Sequence, residues 1–245
     1  MSIQYELFKA SGKKSCPPGT LRIKRCPMVL NEENEDLLVS NTFGLLKYLS
    51  PALWLVPLLE LVTKGREYGA TTQGKIKVNF WEKIPSPPTI YQEGMEEVDI
   101  VIRVRHLVIL IECKFRSPVQ MKGSGSSKRD QIIRYLDAAA FHFLSDSQSR
   151  GEIHFILLTD TEKEPEILSH YRNPQNILEH LTQARPFVNY EEVSRMLARN
   201  VGWGTWSDLL EILGQQDVKG IDSVQAMIMR DLIAYLRHKL GRPKR

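Results

Sequence analysis

The chain is short of cysteine, long apolar runs and one-sided charge, and each shortage removes a class of answer. Its three cysteines, Cys16, Cys26 and Cys113, cannot all pair and make no CxxC spacing. That excludes a disulfide-stapled scaffold and gives no sign of an iron–sulfur cluster or a cysteine-bound zinc. No apolar run exceeds the length of that from Leu107 to Ile111, far short of the roughly 20 residues needed to span a bilayer. The opening Met-Ser-Ile-Gln-Tyr-Glu lacks a basic region followed by an apolar core, so no secretory signal is expected. Reduced thiols in a cytoplasm are the simplest expectation. A formal net charge of +4 over 245 residues permits a polyanionic partner without demanding one. What is present is ordinary: 42% hydrophobic and 25% charged residues, a globular balance and not a disordered one.

Residues 1–30 are rich in Lys, Pro and Gly and read as an irregular arm, with a short strand from Leu21 to Lys24. Asn31-Glu-Glu-Asn-Glu-Asp then places cap-type and acidic residues before an amphipathic stretch from Leu37 to Leu49, a helix-start signature. Ser50-Pro51 interrupts it, and a very apolar second helix runs from Ala52 to Lys64. Alternation from Lys75 to Trp81 predicts a strand, and Ile84-Pro-Ser-Pro-Pro a loop. Two β-branched runs, Val98 to Val104 and Leu107 to Phe115, flank Arg105-His106 and predict a hairpin without the usual Asn-Gly turn. A flexible connector over 117–127, a helix from Arg129 to Leu144 and a strand from Ile153 to Thr159 follow. Helical pieces near 174–183, 190–200, 205–214 and 221–239 fill the remainder. The class predicted is α/β (α+β): a mixed sheet flanked by helices, with a core over 31–160 and a helical region over 161–245 packed on it.

The informative feature is charge on strands that are otherwise apolar. If Arg105 and His106 form the turn, Val104 faces Leu107 and Asp99 faces Glu112. Side chains alternate along a strand, so Lys114 shares a face with Glu112. Cross-strand Cβ atoms lie about 4.5–5.5 Å apart, within reach of one ion. Two carboxylates that close repel unless a cation lies between them. Mg²⁺ suits the arrangement, because it takes one or two carboxylates and keeps waters and a substrate phosphate. Lys114 would orient or deprotonate the attacking water, or offset phosphate charge. A solvated strand face carrying a cross-strand salt bridge is the alternative on spacing alone.

Asp99, then Glu112-Cys113-Lys114 in a hairpin, then a helix opening Gln131-Ile-Ile-Arg-Tyr135 resembles the PD-(D/E)XK nuclease superfamily. The Gln-x-x-x-Tyr element is similar to its RecB-type branch. The resemblance covers roughly residues 31–160. It implies a restriction-endonuclease-like core in which Asp99 and Glu112 bind Mg²⁺ (Mn²⁺ substituting), with the Cys113 carbonyl as a further ligand and Lys114 serving the water. Gln131 and Tyr135 would support the site or touch substrate. The helix acid of the family would be one of Glu32, Glu33, Glu35 and Asp36, with Glu35 favoured; acids in a first turn also simply favour the helix dipole. The sequence departs from the pattern in having Val98, not Pro, before Asp99, and the four-cysteine cluster of some RecB-like members is absent.

Arg116, Lys128 and Arg134 are the basic residues expected to contact phosphate, among a group that also includes Arg103, Arg105, Lys122 and Arg129. Trp203-Gly-Thr-Trp206 offers base stacking or, more simply, core. The leading expectation is a Mg²⁺-dependent nuclease acting on DNA, endonucleolytic, with a homodimer as one arrangement and no membrane association. The competing expectations are a non-catalytic nucleic-acid-binding or assembly module on the same fold, and a phosphoryl-transfer enzyme on small nucleotides.

Overall fold

The computed structural model describes residues 35–69, 72, 74–91, 93–118, 129–144, 151–186, 188–217 and 220–241. The arm over 1–30 and most of the connector over 117–127 lie outside the described residues.

The chain forms a five-stranded mixed sheet in the order β1-β2-β3-β4-β5. Its strands are β1 (Lys77–Ile84), β2 (Glu96–Val104), β3 (Leu107–Cys113), β4 (Glu152–Thr159) and β5 (Val201–Thr205). β1, β2 and β3 form an antiparallel meander; β4 and β5 add to β3 in parallel. The helices are α1 (Glu35–Leu46), α2 (Leu55–Val62), α3 (Gln131–Phe143), α4 (Glu166–Tyr171), α5 (Pro174–Ala184), α6 (Glu191–Arg199), α7 (Trp206–Gly214) and α8 (Ser223–Leu240). The class is therefore α+β, as the order of sequence patterns implied.

Two cores explain the layering. Leu38 and Phe43 of α1, Leu55 and Leu58 of α2, Trp206 and Leu209 of α7 and Leu232 of α8 pack on one sheet face with Ile100, Ile102, Ile109 and Ile111. Ile133 and Leu136 of α3, Leu168 of α4, Ile177 of α5 and Leu197 of α6 cover the other with Val101, Leu110, Phe155 and Leu157. β3 and β4 have helices on both sides, which is why their sequences are nearly unbroken apolar runs rather than alternating ones. Parallel strands need crossovers; α3 joins β3 to β4, and α4, α5 and α6 join β4 to β5. No helix among the described residues is long and apolar enough to cross a membrane.

The hairpin register is the one the sequence implied, with Val104 on Leu107 and Ile100 on Ile111. Arg105 completes the turn at a φ of +51°. The region after 160 is not purely helical, because Val201-Gly-Trp-Gly-Thr forms β5 and joins the sheet. Glycines weaken a strand signal, but Gly202 is required here. A Cβ at Gly202 would meet the Val62 Cβ at 2.8 Å, so the glycine lets α2 close on β5.

His154 on β4 is fully buried, and burial depresses its pKa. Its Nε2 lies 3.7 Å from Glu152, too long for a hydrogen bond. The unfolded chain binds a proton near pH 6.5 and the folded chain resists it, so stability falls as pH drops through that value. We expect His154→Phe to flatten the fall in urea midpoint between pH 7.5 and pH 5. An unchanged slope would refute the role.

Candidate active site

The carboxyl ends of β3 and β4 and the amino ends of α1, α3 and α7 meet at one end of the sheet, where open α/β sheets place their ligands. Glu112, Cys113 and Lys114 leave β3 there. Asp99 lies opposite, on β2. Its Oδ2 accepts the Cys113 N–H at 2.9 Å, so the acid bridges the gap just beyond the last ladder pair, Ile100 with Ile111.

Lys114 donates to Glu112 Oε1 at 2.6 Å and lies 3.7 Å from Glu35 Oε1. Its backbone is fixed at both ends. The Lys114 N–H reaches Leu158 O at 2.8 Å, and the Trp206 indole donates to Lys114 O at 3.2 Å. Glu35 opens α1, and its Oε2 accepts from the Phe115 N–H and the Ser117 hydroxyl, both at 2.6 Å. Glu35 is thus an acid of the helix start that reaches the site. Glu32 and Glu33 lie outside the described residues. Further along α1, the Asn41 amide donates to the Tyr235 hydroxyl of α8 at 3.2 Å.

On the opposite side of Glu112 stands α3. Asp130 caps it, accepting the N–H groups of Ile132 and Ile133, an arrangement that satisfies two of the donors left open at a helix start. The Tyr135 hydroxyl lies 3.1 Å from Glu112 Oε2 and 2.8 Å from Glu97 O, and the Gln131 amide donates to it. Gln131 and Tyr135 therefore steer Glu112 in a chain of contacts.

Buried acids around one ammonium set the electrostatics of the site. Burial raises Asp99 well above the usual carboxylate range, and the Glu112 charge adds to it. Glu112 is 5% exposed and is likewise raised by burial, though Lys114 and Tyr135 oppose the shift. Burial alone would depress Lys114, but Glu112, Glu35 and Asp99 outweigh it and hold the ammonium above its ordinary pKa. Three carboxyl groups, those of Asp99, Glu112 and Glu35, act on the one ammonium of Lys114. Among the described residues no three His, Cys, Asp or Glu side chains form a ready-made metal cage, and a hydrated Mg²⁺ on two carboxylates does not require one.

No family model, curated protein or solved structure matches this chain. The site's meaning therefore rests on its own geometry.

The predicted phosphate ligands are divided. Arg134 is spent on an ion pair with the buried Glu96 at 2.9 Å. Arg116 follows the site at a φ of +58°, its guanidinium stacked 5.0 Å from the Phe115 ring. Lys128 lies outside the described residues. Of the tryptophan pair, Trp206 is fully buried, whereas Trp203 is half-buried and donates to Thr159. Ser117 and Trp206 support the site in roles the sequence does not suggest: Ser117 falls in the connector, and Trp206 in a pair that reads as base stacking or core.

Proposed function

We propose that the protein is a metal-dependent nuclease of the PD-(D/E)XK type, with a restriction-endonuclease-like core, that hydrolyses phosphodiester bonds in DNA endonucleolytically. The observation that carries this reading is the meeting of Asp99, Glu112 and Lys114 with Glu35 and the Gln131–Tyr135 pair at one end of the sheet.

The donor set fits Mg²⁺ or Mn²⁺. Asp99 and Glu112 are hard oxygen ligands whose pKa values are raised by burial, a cost that a cation between them would relieve, and they would hold the ion together with the Cys113 carbonyl. Bound there, a divalent cation supplies Lewis-acid stabilisation of charge on the phosphate and acidifies water.

The protein's own groups do the rest. Lys114, fixed by its Glu112 and Glu35 contacts, presents an ammonium that orients the nucleophilic water and offsets charge growing on the phosphate. Tyr135 and Gln131 hold the Glu112 carboxylate in one rotamer. Glu35 ties down residues 115–117, so the turn carrying Lys114 does not drift. Such positioning matters because small displacements of a reacting group are costly in rate.

The test is incubation of the full chain with supercoiled plasmid, single-stranded DNA and RNA, with Mg²⁺, Mn²⁺ or EDTA. Nicking of the plasmid only with added metal is expected. No metal-dependent cleavage of any substrate would refute the proposal.

A further inference from the structure

Trp81 lies in the middle of β1 with a φ of +46°, a region bulky side chains rarely occupy. The β1–β2 ladder skips it. Phe80 pairs with Ile100 and Glu82 with Val98, which leaves Trp81 opposite Asp99.

Both strands change phase at this point. Phe80 and Trp81 are adjacent yet buried in the same core, whereas Phe80 and Ile84, four residues apart, are buried in different ones. On β2, Ile100 packs into the first core and Val98 into the second. In an undistorted strand, residues separated by an even number share a face. Both strands break that rule here while Phe80 with Ile100 and Glu82 with Val98 stay in step, so the distortion is a matched turn-over of the two strands with no extra residue on either. Asp99 sits at the slip. Its carboxylate lies against the neighbouring strand's backbone, where it accepts the Cys113 N–H.

We propose that Trp81 is a positioning residue: its left-handed backbone, more than its ring, holds β2 out of phase at Asp99 and so aims that carboxylate toward Glu112. The proposal deepens the nuclease reading and rests on it for its functional meaning. Strained backbone held by its surroundings is a recurrent property of functional sites, and here the distortion and the acid face one another on neighbouring strands.

The experiment compares Trp81→Gly with Trp81→Val in the full chain. Glycine adopts positive φ without steric cost; a β-branched residue resists it. Two readouts are taken: Mn²⁺ affinity by electron paramagnetic resonance, and the Cys113 amide resonance, with Asp99→Asn marking its shift when the carboxylate is lost. Trp81→Val is expected to move the amide toward the Asp99→Asn position and weaken Mn²⁺ binding by about tenfold, the usual cost of disturbing a ligand's support. Trp81→Gly is expected to keep both, which a ring acting only as core filler would not allow. The proposal is overturned if folded Trp81→Val retains both, or if folded Trp81→Gly loses the Cys113 signature. Should Trp81→Val not fold, Trp81→Gly decides alone. A wild-type protein that neither binds Mn²⁺ nor cleaves DNA would end the nuclease reading, while the amide comparison would still judge the role of Trp81.

Discussion

Asp99→Asn and Lys114→Ala are each expected to lower Mg²⁺-dependent cleavage by about 10³-fold, the order seen when a single electrostatic group is removed from a transition state. Their effects on stability should be opposite. Asp99 has a raised pKa in the folded chain, first from burial and then from Glu112. Between its unfolded and folded pKa the native state binds the extra proton, so stability declines as pH rises through the carboxylate range. Asparagine cannot ionise and still offers an oxygen to the Cys113 N–H. In EDTA at pH 7.5, Asp99→Asn should therefore unfold at higher urea than wild type, an advantage that vanishes below about pH 4. Lys114 is the reverse case. Burial disfavours its charge, but Glu112 and Glu35 hold the pKa up, a contribution present throughout the range below the free lysine pKa of about 10.4. Lys114→Ala should unfold at lower urea. Activity lost in both with stability moving in opposite directions is the signature of a cation site assembled at a cost to the fold. Full activity in Lys114→Ala, or an Asp99→Asn protein weaker than wild type, would contradict it.

Much of this site was legible before any coordinates, because strand geometry is periodic. Once Arg105 and His106 are taken as the turn, the two-residue repeat predicts Asp99 facing Glu112 with Lys114 beside it; the structure keeps that register through Ile100 and Ile111, and Asp99, just past the last pair, reaches the Cys113 N–H. The Gln131–Tyr135 spacing likewise puts both side chains on one face of α3, where they meet Glu112. Glu35 was one of four acids, and only the tertiary fold brings it to Phe115 and Ser117. β5 escaped because its glycines serve packing against Val62, a contact with a residue far away in the chain. Trp81 escaped for a related reason: a tryptophan in an alternating segment signals a regular strand, and nothing local reveals a left-handed backbone there. Arg134 has a partner that the sequence did not suggest. A surface-type basic residue near the motif reads as a phosphate contact, yet its partner is the buried Glu96 on β2.

The second large effect expected is on folding. Arg129 is 2% exposed and immediately precedes the Asp130 cap of α3. Its Nε donates to Glu93 at 2.9 Å with a second bond from Nη2, and Nη1 donates to Asp137 at 2.8 Å. Asp137 is fully buried and also pairs with Arg185 from beyond α5. The cluster therefore ties the segment before β2, the start of α3 and the end of α5 together. Removing one partner of a buried ionic network strands the others, at a cost of about 3–5 kcal/mol. Arg129→Met should lose that much in urea unfolding, a large share of a typical domain's stability. Arg129→Lys should recover little, because one ammonium cannot reproduce a fork that engages two carboxylates. The same variants should exchange the amide hydrogens of Ile132 and Ile133 faster, since the cap that receives them is anchored beside the cluster. Because Gln131 and Tyr135 sit on the first two turns of α3, cleavage should fall with Arg129→Met even where the protein remains folded. A loss of under about 1 kcal/mol, the range of a solvent-screened surface pair, would show that the network contributes specificity of packing and little stability.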